Sequence, residues 1–147
     1  MASPQLLRRL TPTTFIPTSA DFDIIDKELI KRKDAVCSYF ERSGFTKEVS
    51  RLIFTATRLY QPNRRAVWWI NDYLAPELER KKRICNFLIT SGGQIPTSKH
   101  KFVHFMGYVP YLYAMIANCE IGLVPVWEGC GALTKVVELM TCGEGHR

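Results

Sequence analysis

Apolar residues in this chain follow two spacings in turn. Arg51 to Thr57 (RLIFTAT) is β-branched and apolar on both faces, as a strand inside a parallel sheet must be. A second run, Ile84 to Thr90, stops at Gly92-Gly93, and a third, Phe102 to Phe105, ends at Gly107. A short fourth strand is expected over Ile121 to Val126. Between them the spacing turns helical. Val67, Ile70, Leu74 and Leu78 form a stripe behind Pro62-Asn63, which predicts a helix from Arg64 with Asn63 as its cap. Pro76 should kink or end it. Val109, Leu112, Tyr113, Ile116 and Ala117 mark another helix from about Pro110 to Asn118. Upstream, Asp26 to Phe40 reads as a helix charged on one side, and residues 1–20 look irregular. Strands alternating with helices predict an α/β fold: a Rossmann-like parallel sheet of about four strands with flanking helices, in the order 3-2-1-4.

The segment from Glu120 to Gly143 adds chemistry to that frame. After the fourth strand come Gly129 and Gly131, then an amphipathic helix whose Leu133, Val136, Val137 and Met140 are expected to form the buried stripe. Gly131, Thr134, Lys135 and Glu138 share another face. A strand that runs through glycines into a helix start aims backbone N–H groups at a phosphate. A cation and a carboxylate on the first two turns would then meet a phosphate and a sugar hydroxyl. In a 3-2-1-4 sheet, strands one and four flank the switch point, so a ligand belongs at their C-terminal ends. That places Arg58 and the Gly129–Glu138 turn on one crevice. A phosphorylated ligand, a nucleotide, is the expectation.

Composition narrows the classes. The 147 residues make one domain, 46% hydrophobic and 23% charged, an ordinary globular balance. No apolar run reaches the ~20 residues that span a bilayer, and the first residues carry no continuous apolar stretch of the secretory kind. The five cysteines include no Cys-x-x-Cys pair, which argues against zinc and fits reduced thiols in a cytosol. A cytoplasmic location is therefore expected. The net charge of +6 is spread over clusters at Arg8–Arg9, Lys31–Lys33, Arg64–Arg65, Arg80–Arg83 and Lys99–Lys101. It admits nucleic acid, an anionic membrane surface or a polyanionic ligand. No RNP, KH, zinc-finger or helix-turn-helix pattern favours nucleic acid, whereas contact with the inner face of a membrane stays open. No Gly-x-Gly-x-x-Gly follows the first strand, which argues against a dinucleotide oxidoreductase.

The pieces in order resemble the C-terminal, nucleotide-sugar-binding half of retaining GT-B glycosyltransferases, glycosyltransferase family 4 in particular. Phe15-Ile16-Pro17 with Asp21 is similar to that family's entry into this half, and Phe54–Leu59 (FTATRL) to its strand ending in Gly-Arg-Leu. Gln61-Pro62-Asn63, Trp68–Trp69 and Leu74–Leu78 resemble one subgroup. Phe105–Val109 and Ile116–Glu120 match two further motifs. Gly129–Glu138 (GCGALTKVVE) is similar to the family's donor-binding turn and helix.

The resemblance implies roles residue by residue. Glu138 would hold the ribose hydroxyls of a donor nucleotide, and Gly131, Ala132 and Leu133, followed by Thr134, would turn backbone amides toward its phosphates. Arg58 would neutralise the pyrophosphate. Where relatives carry a lysine five positions beyond that arginine, this chain has Asn63, so Lys135, or else Arg64, would supply the charge. Glu128 stands two residues further from Glu138 than the family's paired glutamates do. Tyr108 and Val109 would border the base, or Tyr108 would be core. No metal and no cofactor beyond the nucleotide-sugar substrate is implied. Residues 1–14 read as a linker or remnant and 15–147 as a partial donor-binding domain, without the acceptor-binding half and without the strand that follows this point in relatives. The expectation is thus a hexosyltransferase-type fragment, inactive without a separate N-terminal half; the alternative is a non-catalytic nucleotide-sugar-binding or regulatory module.

Overall fold

The computed structural model describes residues 22–57, 60–92, 98, 100–128 and 132–144, the side chains of 22, 57, 92, 132–134 and 144 excepted. The expected linker at 1–14 and the Phe15–Pro17 motif lie outside the described residues. In chain order the elements are α1 (Phe22–Arg42), β1 (Ser50–Thr57), α2 (Gln61–Trp69), a π-helical turn (Ile70–Leu74), α3 (Ala75–Arg80), β2 (Cys85–Gly92), β3 (Val103–Gly107), α4 (Leu112–Ala117), β4 (Ile121–Gly122) and α5 (Ala132–Glu144). The four strands form one parallel sheet in the order β3-β2-β1-β4, the expected topology.

β1 is the central strand because its side chains are apolar on both sides. Leu52 and Phe54 join Phe87, Ile89 and Val103 under Ala66, Ile70 and Ala75 of the α2–α3 layer. Ile53 and Leu88 point the other way, into Ile25, Val36 and Phe40 of α1, four residues of α4, and Cys142 of α5. The sheet is therefore covered on both faces, as parallel strands require. Phe40, Phe54 and Phe87 are fully buried, each worth about 1.5–3 kcal/mol of apolar transfer.

Element ends depart from the sequence expectations for local reasons. α1 starts earlier, at Phe22, with Asp23 in its first turn and Arg42 in its last, both favourable to the helix dipole. It ends in a Schellman turn: Gly44 takes φ +84°, and Phe45 N–H and Gly44 N–H donate to the carbonyls of Phe40 and Glu41. The Phe45 ring then meets Phe40 edge-on at 5.8 Å. α2 begins at Gln61, ahead of Pro62, whose fixed φ suits a first turn. Asn63 is thus inside the helix and not its cap; Tyr60 holds that position with no side-chain bond. Pro76 can donate no hydrogen bond and would crowd a carbonyl one turn back. The chain widens before it, with Ala75 N–H reaching Ile70 O in the π register, and Pro76 then sits in the first turn of α3.

β4 is shorter than Ile121–Val126. Its ladder ends at Leu123 N–H to Ile53 O (2.8 Å), and Val126 N–H turns back to Val124 O across Pro125, which has no donor to offer. The buried face of α5 also differs from the expected stripe. Val137, Leu139 and Cys142 pack inward, while Val136 and Met140 are exposed. Leu139 rests on Gly122, where an added Cβ would lie 2.6 Å from it. That contact sets the rotation of the helix, and hydrophobic spacing alone could not choose between its two apolar sides.

Arg51 is buried, against the reading of β1 as wholly apolar. Its guanidinium donates to Glu120 Oε1 (2.7 Å) and Oε2 (3.4 Å), its backbone N–H to Glu120 Oε2 (2.6 Å), and a further N–H to Phe45 O (3.3 Å). Burial acts to raise the Glu120 carboxyl, but the hydrogen bonds from Arg51 outweigh it and hold the group below its ordinary value. A carboxyl lowered on folding contributes stability above its unfolded pKa, about 4.3, and loses it as the pH falls through the lower folded value. Glu120→Ala should cost about 3 kcal/mol, the low end for removing one partner of a buried pair, because Glu120 is partly open to water. Urea unfolding at neutral pH measures this; a loss within about 0.5 kcal/mol of zero, the scatter of an ordinary surface substitution, would contradict it.

Candidate functional site

β1 pairs with β2 on one side and β4 on the other, so the connections leaving these neighbouring strands diverge to opposite faces. α2 follows β1 into the α2–α3 layer, and α5 follows β4 into the layer of α1 and α4. A crevice at such a switch point is the usual ligand site of an open α/β sheet.

Two of the expected residues meet there. Lys135 and Glu138 lie one turn apart on α5, at a spacing that puts side chains on one face. Lys135 reaches across the sheet end to the opposite layer. Its Nζ donates to Asn63 Oδ1 of α2 at 2.6 Å and lies 4.8 Å from the centre of the Phe54 ring. Asn63 is buried. Burial lowers the Lys135 ammonium to about 8, against the pull of Glu138, which favours its charged form. The lysine is therefore charged at neutral pH but poorly solvated, a state that an arriving anion would relieve.

Glu138 is half-buried, and loss of water raises its carboxyl above the ordinary value, opposed by the Tyr113 hydroxyl and by Lys135. Tyr113 Oη donates to Glu138 Oε1 at 3.5 Å, a long bond that leaves most of the carboxylate's acceptor capacity open. Burial and the neighbouring carboxylate raise the Tyr113 hydroxyl in turn. One turn further along α5, burial pushes the Cys142 thiol up to about 12, with Glu138 and Glu28 adding to the effect. This thiol is packing and not a nucleophile. Glu28 accepts Ala114 N–H at 2.9 Å and fixes α1 to the start of α4.

The other expected residues fall elsewhere. Glu128 is exposed and ion-paired with Arg65 on the outer side of α2. Tyr108 is 82% exposed, not core, and lines a cleft of about 390 Å³ between α1 and the β3–α4 connection, with Val36, Tyr39, Val109 and Met115. Among the described residues no hydrogen bond joins it to Lys135 or Glu138. Arg64 is exposed at the start of α2. Arg58, Gly129 and Gly131 lie outside the described residues, as do the side chains of Ala132, Leu133 and Thr134. Sequence reasoning missed two participants. Asn63 was assigned to a cap, and Tyr113 to an apolar helix face; only the absence of a lysine at 63 hinted that another cation must come there.

Among the described residues no group of three or more His, Cys, Asp or Glu side chains could hold a metal ion. No helix of the described residues is long and apolar enough to cross a membrane. No protein-family model, curated protein or solved structure matches the chain.

The lowered Lys135 value gives a pH test. A nucleoside diphosphate is fully ionised above about pH 7, because its last phosphate proton leaves near 6. If Lys135 holds such an anion, the affinity should fall as the pH rises through the Lys135 pKa, which a bound phosphate moves up from about 8. Lys135→Met should bind roughly tenfold or more weakly, losing a charge-assisted hydrogen bond of about 1.5–3 kcal/mol, and should lose the pH dependence. Isothermal titration from pH 7 to 9.5 reads both; a flat wild-type profile would remove Lys135 from the ligand.

Proposed function

We propose that this chain is the donor-binding half of a glycosyltransferase, holding the nucleoside diphosphate of a nucleotide-sugar at the crevice between the C-terminal ends of β1 and β4. The observation that carries the reading is the Lys135–Asn63 contact. Position 63 is where the resemblance to glycosyltransferase family 4 calls for a lysine, and an ammonium from α5 stands 2.6 Å from the asparagine found there. On this reading Lys135 would supply the cation that relatives carry at the position of Asn63. Glu138, one turn on, offers a carboxylate to ribose hydroxyls, a task for a group that accepts hydrogen bonds and donates none. Gly131 and its neighbours would turn amides toward the phosphates, and Arg58 would face the pyrophosphate from the end of β1. Transfer to an acceptor would need a second, acceptor-binding half as partner.

A second reading is a nucleotide-sugar-binding or regulatory module with no catalysis. It is favoured by Glu128, whose carboxylate is held by Arg65 and not turned into the crevice as a second acid would be. Supplying an N-terminal GT-B half from a related enzyme separates the two readings, since only the first predicts sugar transfer on reconstitution.

Both readings require nucleotide binding. Glu138→Ala should weaken binding of a nucleoside diphosphate by about 1–3 kcal/mol, the cost of leaving ligand hydroxyls without their charged acceptor. Titration calorimetry of wild type and variant measures the difference. Equal affinities would take Glu138 out of the site, and no binding by the wild type would end both readings.

A further inference from the structure

Most of the chain's 20 lysines and arginines, and its three tryptophans, are not used by the crevice. We propose that the outer side of α2, the π-helical turn and the segment just after β4 form a docking surface for an anionic lipid bilayer. This rests on the surface alone and is independent of the donor-binding reading.

Two consecutive residues, Trp127 and Glu128, lie along α2. Trp127 meets Trp69 edge-on at 5.3 Å, and Glu128 pairs with Arg65 one turn earlier. Trp69 in turn contacts Tyr73 at 5.7 Å. Trp127, Trp69 and Tyr73 are thus one continuous aromatic ridge, with Trp127 next to the Glu128–Arg65 pair. It protrudes: Trp127 is 67% exposed and Tyr73 58%, and Trp68, beside Arg64 on the outer turn, is 66% exposed. Single exposed apolar residues are ordinary, but a held cluster of aromatic rings is not. Indole and phenol rings pair an apolar body with a polar N–H or O–H, which suits the boundary between headgroups and acyl chains.

Charge selects the partner. Arg64 and Arg65 lie at one end of the ridge, Arg80 ends α3, and Lys81, Lys82 and Arg83 follow it. Nearby carboxylates are engaged: Glu77 by Arg80 and Lys81, Glu79 by Lys101 and His100, Glu128 by Arg65, and Asp72, beside Tyr73, by Asn71, which donates to it at 2.9 Å. Lys82 and Arg83, just past α3, are exposed, as is Arg64 at the start of α2, so cations stand at both ends of the α2–α3 layer. Juxtamembrane cations of this kind add attraction to anionic lipid. A protein partner would also meet tryptophan and arginine, but its anchor side chains need a pocket to fill. The cleft of about 390 Å³ is on the opposite face of the sheet, under α1 and α4.

Co-sedimentation with vesicles tests this. The protein should partition onto phosphatidylcholine vesicles containing about 30% phosphatidylserine, and at least about tenfold less onto phosphatidylcholine alone. Raising the salt from about 0.1 to about 0.5 M should release it, because exposed charges are then screened within a few ångströms. Tryptophan emission should shift to the blue on binding. Trp68→Ser/Trp127→Ser should lose about tenfold in partition, as should Arg64→Gln/Arg83→Gln, with circular dichroism unchanged in both. Tyr108→Ser, on the other face, should bind like wild type. No partition onto the anionic vesicles, or equal partition of the tryptophan variant when folded, overturns the proposal. So would capture of an acidic protein or nucleic acid by this surface in the absence of vesicle binding.

Discussion

Arg51 stands at the start of the central strand with 3% of its surface exposed, and its charge is matched by Glu120, the residue just before β4. Without that carboxylate the guanidinium would be a buried, unpaired ion, a state that costs the fold stability. With it, one side chain fastens the neighbouring strand to β1 through its backbone as well as its charge. β4 has two residues in the ladder and little else to fix its register. The flanking bonds, Glu120 N–H to Arg51 O and Leu123 N–H to Ile53 O, complete a short but fully specified attachment. Arg51 also lies over the Phe40 ring at 5.3 Å, so the same ion ties the end of α1 to the sheet.

What depends on β4 is the placement of α5. Gly122 lets Leu139 approach where any side chain would hold it off, and the resulting rotation sends Lys135 and Glu138 to the switch point. Lys135 then crosses from one layer to the other and loses much of its water, gaining Asn63 and the face of Phe54 in return. A half-desolvated cation next to a half-desolvated carboxylate is costly to hold. Perturbed groups of this kind are a reason to propose a ligand there.

Much of this was legible in the sequence. The strands from Arg51, Ile84 and Phe102 and their parallel 3-2-1-4 order follow from apolar runs separated by helical spacing, and the structure has them within a few residues. Pairings over long separations were not legible. Arg51 looked like the edge of an apolar run because its partner lies 69 residues away. Asn63 looked like a cap because Pro62-Asn63 is a strong start signal, and nothing local reveals that a lysine on α5 claims its oxygen. The inward side of α5 was misread because that helix is apolar on two sides, and a glycine in another element decides between them. Pro76 announced a break, but whether the chain kinks, ends or widens depends on how α2 and α3 must both lie on β1 and β2.

We propose that the crevice beside Lys135 and Glu138 receives a nucleotide. The most direct measurement is the amide and side-chain NMR spectrum of the labelled protein titrated with a nucleoside diphosphate. The account predicts shifts concentrated at Asn63 Nδ2–H, Lys135, Glu138 and Tyr113, with the Lys135 side chain moving to a higher pKa in the complex. Shifts confined to Tyr39, Tyr108 and Tyr111 in the opposite cleft, or a Lys135 pKa unchanged by saturating nucleotide, would contradict it.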